Sequence, residues 1–281
     1  MFFPTNITLQ IKGKLHVVDR PWVMGIMNMT PDSFFANSRV DLSTDHVLRI
    51  ADNMLGEGAK ILDIGGYSSR PGAAEVSKDE EIKRTVPHIE AIKRKFPEAL
   101  VSIDTFRAAV AKAAVESGAD IVNDISSGEL DSQMLETVGA LGVPYIAMHM
   151  KGSPQTMQGL INYADITKDI CCFFSKKLEE CRKFGIKDVI IDPGFGFAKT
   201  LDQNYEILKN LMYFKTIESL LLVGLSRKSM IYKKLEINPE EALNGTTALH
   251  MFSLLQGANI LRVHDVKAAK ETIELFKHLY P

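Results

Sequence analysis

Along this 281-residue sequence, short apolar runs repeatedly stop at polar or charged residues, and those residues fall into two chemical groups. One group is cationic or donating: Asn28, Arg70, Arg227, Lys228, Arg262 and His264. Arginine grips phosphate oxygens through two parallel bonds and lysine acts as a point charge, so these residues suit a phosphate or pyrophosphate. The other group accepts: Asp104, Asn123 and Asp192, with Met148 close by. Ionised carboxylates cannot donate hydrogen bonds, so they call for a ligand edge rich in N–H groups, such as the aminopyrimidinone of guanine or pterin. Asp192 opens Asp-Pro-Gly-Phe-Gly-Phe, where proline and glycine stiffen a turn and Phe197 offers a flat apolar wall. His264, two residues beyond Arg262 on one strand face, suits an anion. His149 has no second ligand at metal spacing, and a structural role is favoured for it. Asn28 suits magnesium, which takes few protein oxygens when phosphates and waters complete its shell. No arrangement of serine, cysteine and histidine points to covalent catalysis.

The elements that must position these residues follow from the runs themselves. Trp22–Met27, Ile61–Ile64, Val101–Ile103, Ile121–Val122, Tyr145–Met148, Val189–Ile191, Leu220–Leu225 and Ile260–Leu261 are short and rich in Val and Ile, as strands buried on both faces are. Helical periodicity fills the intervals at Asp41–Glu57, Ser77–Phe96, Arg107–Ser117, Asp131–Leu141, Tyr163–Phe184, Asp202–Leu211, Pro239–Leu255 and Lys267–His278. Pro87 should kink or divide the second helix. The stretch Glu116–Asp120, like Glu57–Ala59 and Gln256–Ala258, has the form of a glycine C-cap passing straight into a strand. Eight units in series, with no dinucleotide glycine fingerprint after the first strand, favour a TIM-type (β/α)8 barrel over an open doubly wound sheet. Ahead of them Ile7, Leu9 and Ile11, then Leu15 and Val17, alternate around Gly13-Lys14 as an N-terminal β-hairpin at the barrel's closed end. In such a barrel strands seven, eight, one and two adjoin, which gathers the cationic tips at the C-terminal face opposite the acceptors.

A hydrophobic content of 46% over this length predicts one α/β domain covering residues 1–281. No run approaches the ~20 apolar residues of a membrane helix, and Met1–Gln10 has no signal-peptide pattern. A net charge of -2 argues against a nucleic-acid partner. Cys171, Cys172 and Cys181 share one predicted helix without metal or redox spacing, which fits a reducing cytoplasm.

Eight ordered stretches carry a resemblance: MGIMNMTPDSF (Met24–Phe34), DIGGYSSRPGA (Asp63–Ala73), SIDT (Ser102–Thr105), NDIS (Asn123–Ser126), MHMKGSPQTMQ (Met148–Gln158), DPGFGFAK (Asp192–Lys199), GLSRKSMI (Gly224–Ile231) and RVHDV (Arg262–Val266). Together they closely resemble the dihydropteroate synthase family. The resemblance implies the barrel, a homodimer and a transferase of folate synthesis. That transferase joins 7,8-dihydropterin-6-ylmethyl diphosphate to p-aminobenzoate by an SN1-like displacement, giving 7,8-dihydropteroate and pyrophosphate with Mg2+ as cofactor. It implies that Asp104, Asn123, Asp192 and Lys228 hold the pterin, that Met148 and Phe197 shape its slot, and that Arg262 stacks on the ring. Asn28, Arg262 and His264 would take the diphosphate and its metal. The loops Thr30–Phe34, with Asp32, and Ser69–Pro71, with Arg70, would close over the site, and Lys228, Ser229, Pro71 and Phe197 would receive p-aminobenzoate. Asp104, Arg262, His264 and Lys228 would be the catalytic set.

The chain departs from the family pattern at Tyr67, where glutamate is usual, at Ser69, where threonine is usual, and at Ala36-Asn37-Ser38 in place of Asp-Gly-Gly. Two rival functions share the acceptor group. A pterin-binding methyltransferase domain has no need of the cations at the seventh and eighth tips, and a non-catalytic pterin-binding paralogue is supported by the altered first loop alone.

Overall fold

A computed structural model describes residues 7–30, 43–68 and 75–280. Strands β1 (Thr8–Ile11) and β2 (Lys14–Val17) pair antiparallel as the expected hairpin. Eight strands then close a parallel barrel: β3 (Trp22–Asn28), β4 (Ile61–Gly65), β5 (Leu100–Asp104), β6 (Ile121–Asp124), β7 (Tyr145–Met148), β8 (Val189–Asp192), β9 (Leu220–Val223) and β10 (Ile260–Val263). β10 pairs with both β9 and β3, so the predicted adjacency of the seventh, eighth, first and second barrel strands is present.

Side-chain alternation inside each run decides which residues reach the lumen. Val23, Met27, Leu62, Ile64, Val101, Ile103, Val122, Ala147, Ile191, Leu221, Val223, Leu261 and Val263 face outward and form one core with the helices. Trp22, Met24, Ile61, Leu100, Ile121, Ile146, Ile190, Leu220, Leu222 and Ile260 face inward at the strands' N-terminal halves, where Leu9, Ile11 and Val18 of the hairpin segment pack against them. The hairpin therefore plugs the closed end of the barrel with apolar surface. Continuing each inward series by two or four residues reaches Asn28, Asp63, Gly65, Asp104, Asn123, Met148, Asp192, Gly224, Arg262 and His264. The polar tips are thus the C-terminal continuation of the same inward face.

The helices of the outer layer are α1 (Thr44–Gly56), α2 (Lys78–Lys95), α3 (Ala108–Glu116), α4 (Met134–Leu141), α5 (Ile166–Lys183), α6 (Leu201–Lys209), α7 (Ser229–Leu235), α8 (Leu243–Leu255) and α9 (Val266–Leu279). Local chemistry starts several of them: Ser77 accepts from the Glu80 amide, Asp165 from the Lys168 amide, and Thr200 with Gln203 forms a capping box. The predicted C-cap after α3 is present, with Gly118 at φ 117° and the Ala119 amide bonded back to Ala114.

Two expectations need correction. Of the expected kink or division at Pro87, the division is absent: α2 runs continuously from Lys78 to Lys95, and Pro87 and Lys83, whose carbonyl loses its donor, both lie on the water-facing side of the helix. The sequence reading also missed α7, a helix of two turns immediately after the β9 tip; its Met230 and Ile231 enter the core, and a short 3-10 turn at Pro239–Glu241 separates it from α8.

Candidate active site at the C-terminal mouth of the barrel

A cavity of about 850 Å3 opens among the strand tips. Asn28, Thr30, Asp104, Phe197, Lys228, Ser229, Arg262 and His264 line it, so eight of the residues singled out from sequence share one space. Asp192 lies against it: a carbon added to the lining residue Gly224 would sit 3.7 Å from an Asp192 carboxylate oxygen and 3.8 Å from the Arg262 Cβ. Asn123 and Met148 are buried just behind the lining. Asp32, Ser69, Arg70 and Pro71 lie outside the described residues.

The two groups read from sequence are not held apart on opposite rims. Arg262 reaches across the lumen from β10, donating from Nε to Asp63 on β4 at 2.6 Å and from Nη2 to Asp104 on β5 at 2.5 Å. Asp63 also accepts from the Asn123 amide at 3.2 Å. A cation that bridges two carboxylates stays charged: burial pulls Arg262 down, but Asp63 and Asp104 more than offset it and hold it above its ordinary value. Burial pushes the Asp104 carboxyl up to about 7, with Asp63, Glu81 and Asp124 adding to the rise and Arg262 opposing it. Asp104 is therefore poised between proton and ion pair near neutrality.

A second charge pair sits across the lumen. Burial lowers the Lys228 ammonium to about 8, with Arg262 adding to the fall and Asp192 and Asp104 opposing it. Burial raises the Asp192 carboxyl, Lys228 is the largest influence holding it down, and the Gly194 amide bonds it at 2.8 Å. Lys228 donates to the Phe195 carbonyl at 2.6 Å, and its ammonium stands 4.8 Å from the centre of the Phe197 ring. Phe197 and Phe106 pack on Ile125, Met148, Met150, Met157 and Ala198, which makes an apolar wall beside the charges. A flat heterocycle that is polar along its edge and apolar on its faces fits between that wall and the arginine.

Lys199 explains the shape of the loop that carries Phe197. It is 7% exposed, yet it donates to the carbonyls of Gly194 (2.9 Å), Phe197 (2.8 Å) and His149 (3.2 Å) and pairs with the His149 Nδ1 at 3.1 Å. One ammonium thus ties the β7 tip to the β8 loop. Burial and then Lys199 push His149 down to about 2, so it is a neutral acceptor in a structural pair. Gly194 passes so close to the His149 carbonyl, at φ 70°, that a Cβ would collide there.

Arg227 corrects the sequence reading. Counted among the ligand-facing cations, it does border the cavity, but it bonds Asp265 with two nitrogens at 2.8 Å each and the carbonyls of Pro239 and Glu240. Its guanidinium is used to fasten the β9 loop to the start of α9. His264 is held by Ser226, whose hydroxyl lies 3.2 Å from both its amide and its ring nitrogen.

Asp63 and Lys199 were missed as site residues. Each had a visible signal: Asp63 is an acid inside an apolar run, two places before an inward glycine, and Lys199 follows a rigid turn. As for magnesium, no cluster of three acidic, histidine or cysteine side chains exists among the described residues. The amide oxygen of Asn28 beside His264 and Arg262 is the donor a phosphate-bound Mg2+ would use, since phosphates and waters supply the other ligands.

Comparison with known proteins agrees with this geometry. Residues 24–264 match the family described as pterin binding enzyme. The chain is 42% identical to the dihydropteroate synthase of Escherichia coli K12 over 92% of its own length and 91% of that protein's. It is also 42% identical to that of Synechocystis, over 99% and 94%. A crystal structure of Yersinia pestis dihydropteroate synthase with a sulfonamide drug complex superposes with a TM-score of 0.92 at 41% identity, covering 97% of this chain and 99% of that one.

Proposed function

Because this chain belongs to the dihydropteroate synthases of the pterin-binding enzyme family, we propose that its barrel mouth joins 7,8-dihydropterin-6-ylmethyl diphosphate to p-aminobenzoate, and we assign roles to its residues. The pterin edge is held by Asp104, Asn123, Asp192 and Lys228, with Met148 and Phe197 along one face and Arg262 against the other. His264, Arg262 and Asn28 receive the diphosphate, and Asn28 would supply a protein oxygen to Mg2+. When bound, that ion offsets charge growing on the leaving diphosphate.

The bond between the pterin methylene carbon and the diphosphate oxygen breaks first, and its electron pair leaves with diphosphate. Arg262 and His264 meet the growing negative charge, and the Asp104 carboxylate faces the cation that spreads over the dihydropterin. The amine nitrogen of p-aminobenzoate then forms the new C–N bond with its lone pair and releases a proton. That arylamine is already neutral and weakly basic, so no strong base is needed. Ser229 and Lys228, with Phe197 beside them, orient the acceptor, and Thr30 lines the same mouth.

The observation that carries the reading is the Arg262 bridge between Asp63 and Asp104, with Arg262, Asp104 and Lys228 lining one cavity and Asp192 against it. It favours a synthase over a methyltransferase domain, because the cations at the β9 and β10 tips face the same cavity as the acceptors. The purified chain, given Mg2+ and both substrates, should release pyrophosphate and dihydropteroate in equal amounts. Pterin binding without either product would overturn the catalytic reading.

A homodimer is supported by exposed apolar residues: Met212 and Tyr213 in the 3-10 segment after α6, Leu235 at the end of α7, and Leu243 and Phe252 on α8. Sedimentation at micromolar concentration tests it. Among the described residues no helix is long and apolar enough to cross a membrane, and three free thiols fit a cytoplasmic location.

A further inference from the structure

We propose that Asp63 is a positioning residue for the pterin: a single carboxylate oxygen, buried beneath the ligand, orients Arg262 and Asn123 together and fixes which face of the Asn123 amide the ligand meets. The proposal rests on the pterin reading of the mouth given above.

Asp63 is fully buried, and its side chain is not part of the cavity lining. Register places it opposite Ser102, one inward step below the Gly65–Asp104 pair. A carboxylate at that depth is expensive unless it is paired. Its Oδ2 takes both available partners, Arg262 Nε and Asn123 Nδ2, while Oδ1 has no hydrogen-bond partner among the described residues. Packing alone would be better served by an apolar side chain, as every other strand supplies one layer lower.

Two consequences follow from hydrogen-bond chemistry. Arg262 touches two carboxylates although one would neutralise it. Asp104 borders the cavity with 22% of its side chain exposed, so it can exchange Arg262 for a ligand N–H, whereas Asp63 has no ligand to turn to. Arg262 therefore keeps its plane and a counter-charge through that exchange, and its Nη1, which neither carboxylate occupies, is left for the leaving anion. Asn123 is fixed in the same stroke. An acidic acceptor below it requires the NH2 group to point down, which turns its carbonyl oxygen toward the cavity as an acceptor. Asp63 thus sets the polarity of the acceptor edge without meeting the ligand.

Steady-state kinetics and calorimetric binding of the dihydropterin diphosphate, each across pH, test this in wild type, Asp63→Asn, and the exchange variant Asp63→Asn with Asn123→Asp. The groups acting on Asp104 include Arg262 from β10, Asp63 from β4, Glu81 from α2, Asp124 from β6 and Lys228 at the start of α7, and of these only Asp63 changes in the single variant. Loss of one charge-assisted contact predicts about a tenfold to hundredfold fall in kcat/KM for the pterin substrate. The KM for p-aminobenzoate should stay unchanged. The acidic limb of the pH profile should move to lower pH, because a negative neighbour that raised Asp104 is gone. The exchange variant, with the charge moved one residue across the same bond, should bind better than Asp63→Asn and keeps the test open if that variant folds poorly. A folded Asp63→Asn with unchanged pterin affinity and unchanged acidic midpoint overturns the proposal. If wild type binds pterin but makes no product, the synthase reading fails, and the same two binding comparisons still decide the role of Asp63.

Discussion

The lumen of this barrel has two halves built from the same strands and the same alternation, and they follow opposite energetic rules. In the N-terminal half, Trp22, Met24, Ile61, Leu100, Ile146, Leu222 and their neighbours fill space with hydrocarbon, and stability grows with the area removed from water. In the C-terminal half, two to four residues further along, Asp63, Asp104, Asn123, Asp192 and Arg262 occupy inward positions, and each charge is tolerated only because another charge answers it. A (β/α)8 fold can place a reactive, costly constellation at its mouth because the closed end supplies the cohesion.

The comparison breaks most visibly at Arg262. Arg262→Met would leave Asp63 and Asp104 without their shared cation, which should cost about 3–5 kcal/mol of stability and remove measurable turnover. Denaturant titration at pH 8 and pH 6 checks it: part of the loss should return at the lower pH, where Asp104 accepts a proton. In the other half, Leu222→Ala removes only hydrocarbon and should cost about 2–5 kcal/mol, with KM for both substrates intact. Equal losses of KM in both variants would mean that the halves are not separable. Lys199→Met is intermediate. It strips three carbonyls and the His149 ring of their donor, which should cost about 1–3 kcal/mol and raise KM for the pterin as the Phe197 loop loosens.

The polar half should also impose a pH window. Asp104 must be a carboxylate to accept from the pterin, so kcat/KM rises as pH passes about 7; Lys228 must be an ammonium, so it falls as pH passes about 8. A narrow bell between those values is expected in a pH series at constant ionic strength. Asp104→Asn should flatten the acidic limb and reduce turnover more than pterin affinity.

Sequence and structure meet most fully in the barrel itself. Each of the eight apolar runs is a strand, and the glycine joins at Gly58, Gly118 and Gly257 have the positive φ that a C-cap requires. Inside each run the reading was incomplete, because a strand buried on both faces shows no polar alternation to reveal which residues face inward. Asp63 therefore carries no mark of the way it faces, and its link to Arg262, 199 residues away, exists only after closure. Arg227 failed for the opposite reason: a cation beside Lys228 resembles a ligand group until Asp265 from the next unit claims it. The sequence marks where charge lies; the closed ring decides which charges are spent on one another.

The smallest expected effect belongs to a charge pair on the outer surface, and it isolates what depth contributes. Glu274 bonds Lys270 at 2.7 Å and Lys277 at 2.8 Å, distances similar to those of the Arg262 bridge, and these bonds hold its carboxyl down to about 2. A folded value below the ordinary one means that its contribution is complete above about pH 4.5 and fades as pH falls toward 2. Water screens all three groups, so Glu274→Gln should cost no more than about 1 kcal/mol at pH 7 and less in high salt. Denaturant midpoints with and without 1 M salt measure it. A loss as large as that of Arg262→Met would show that contact distance, rather than exclusion of water, sets the value of a charge pair in this protein, and the contrast between the two halves of the lumen would lose its cause.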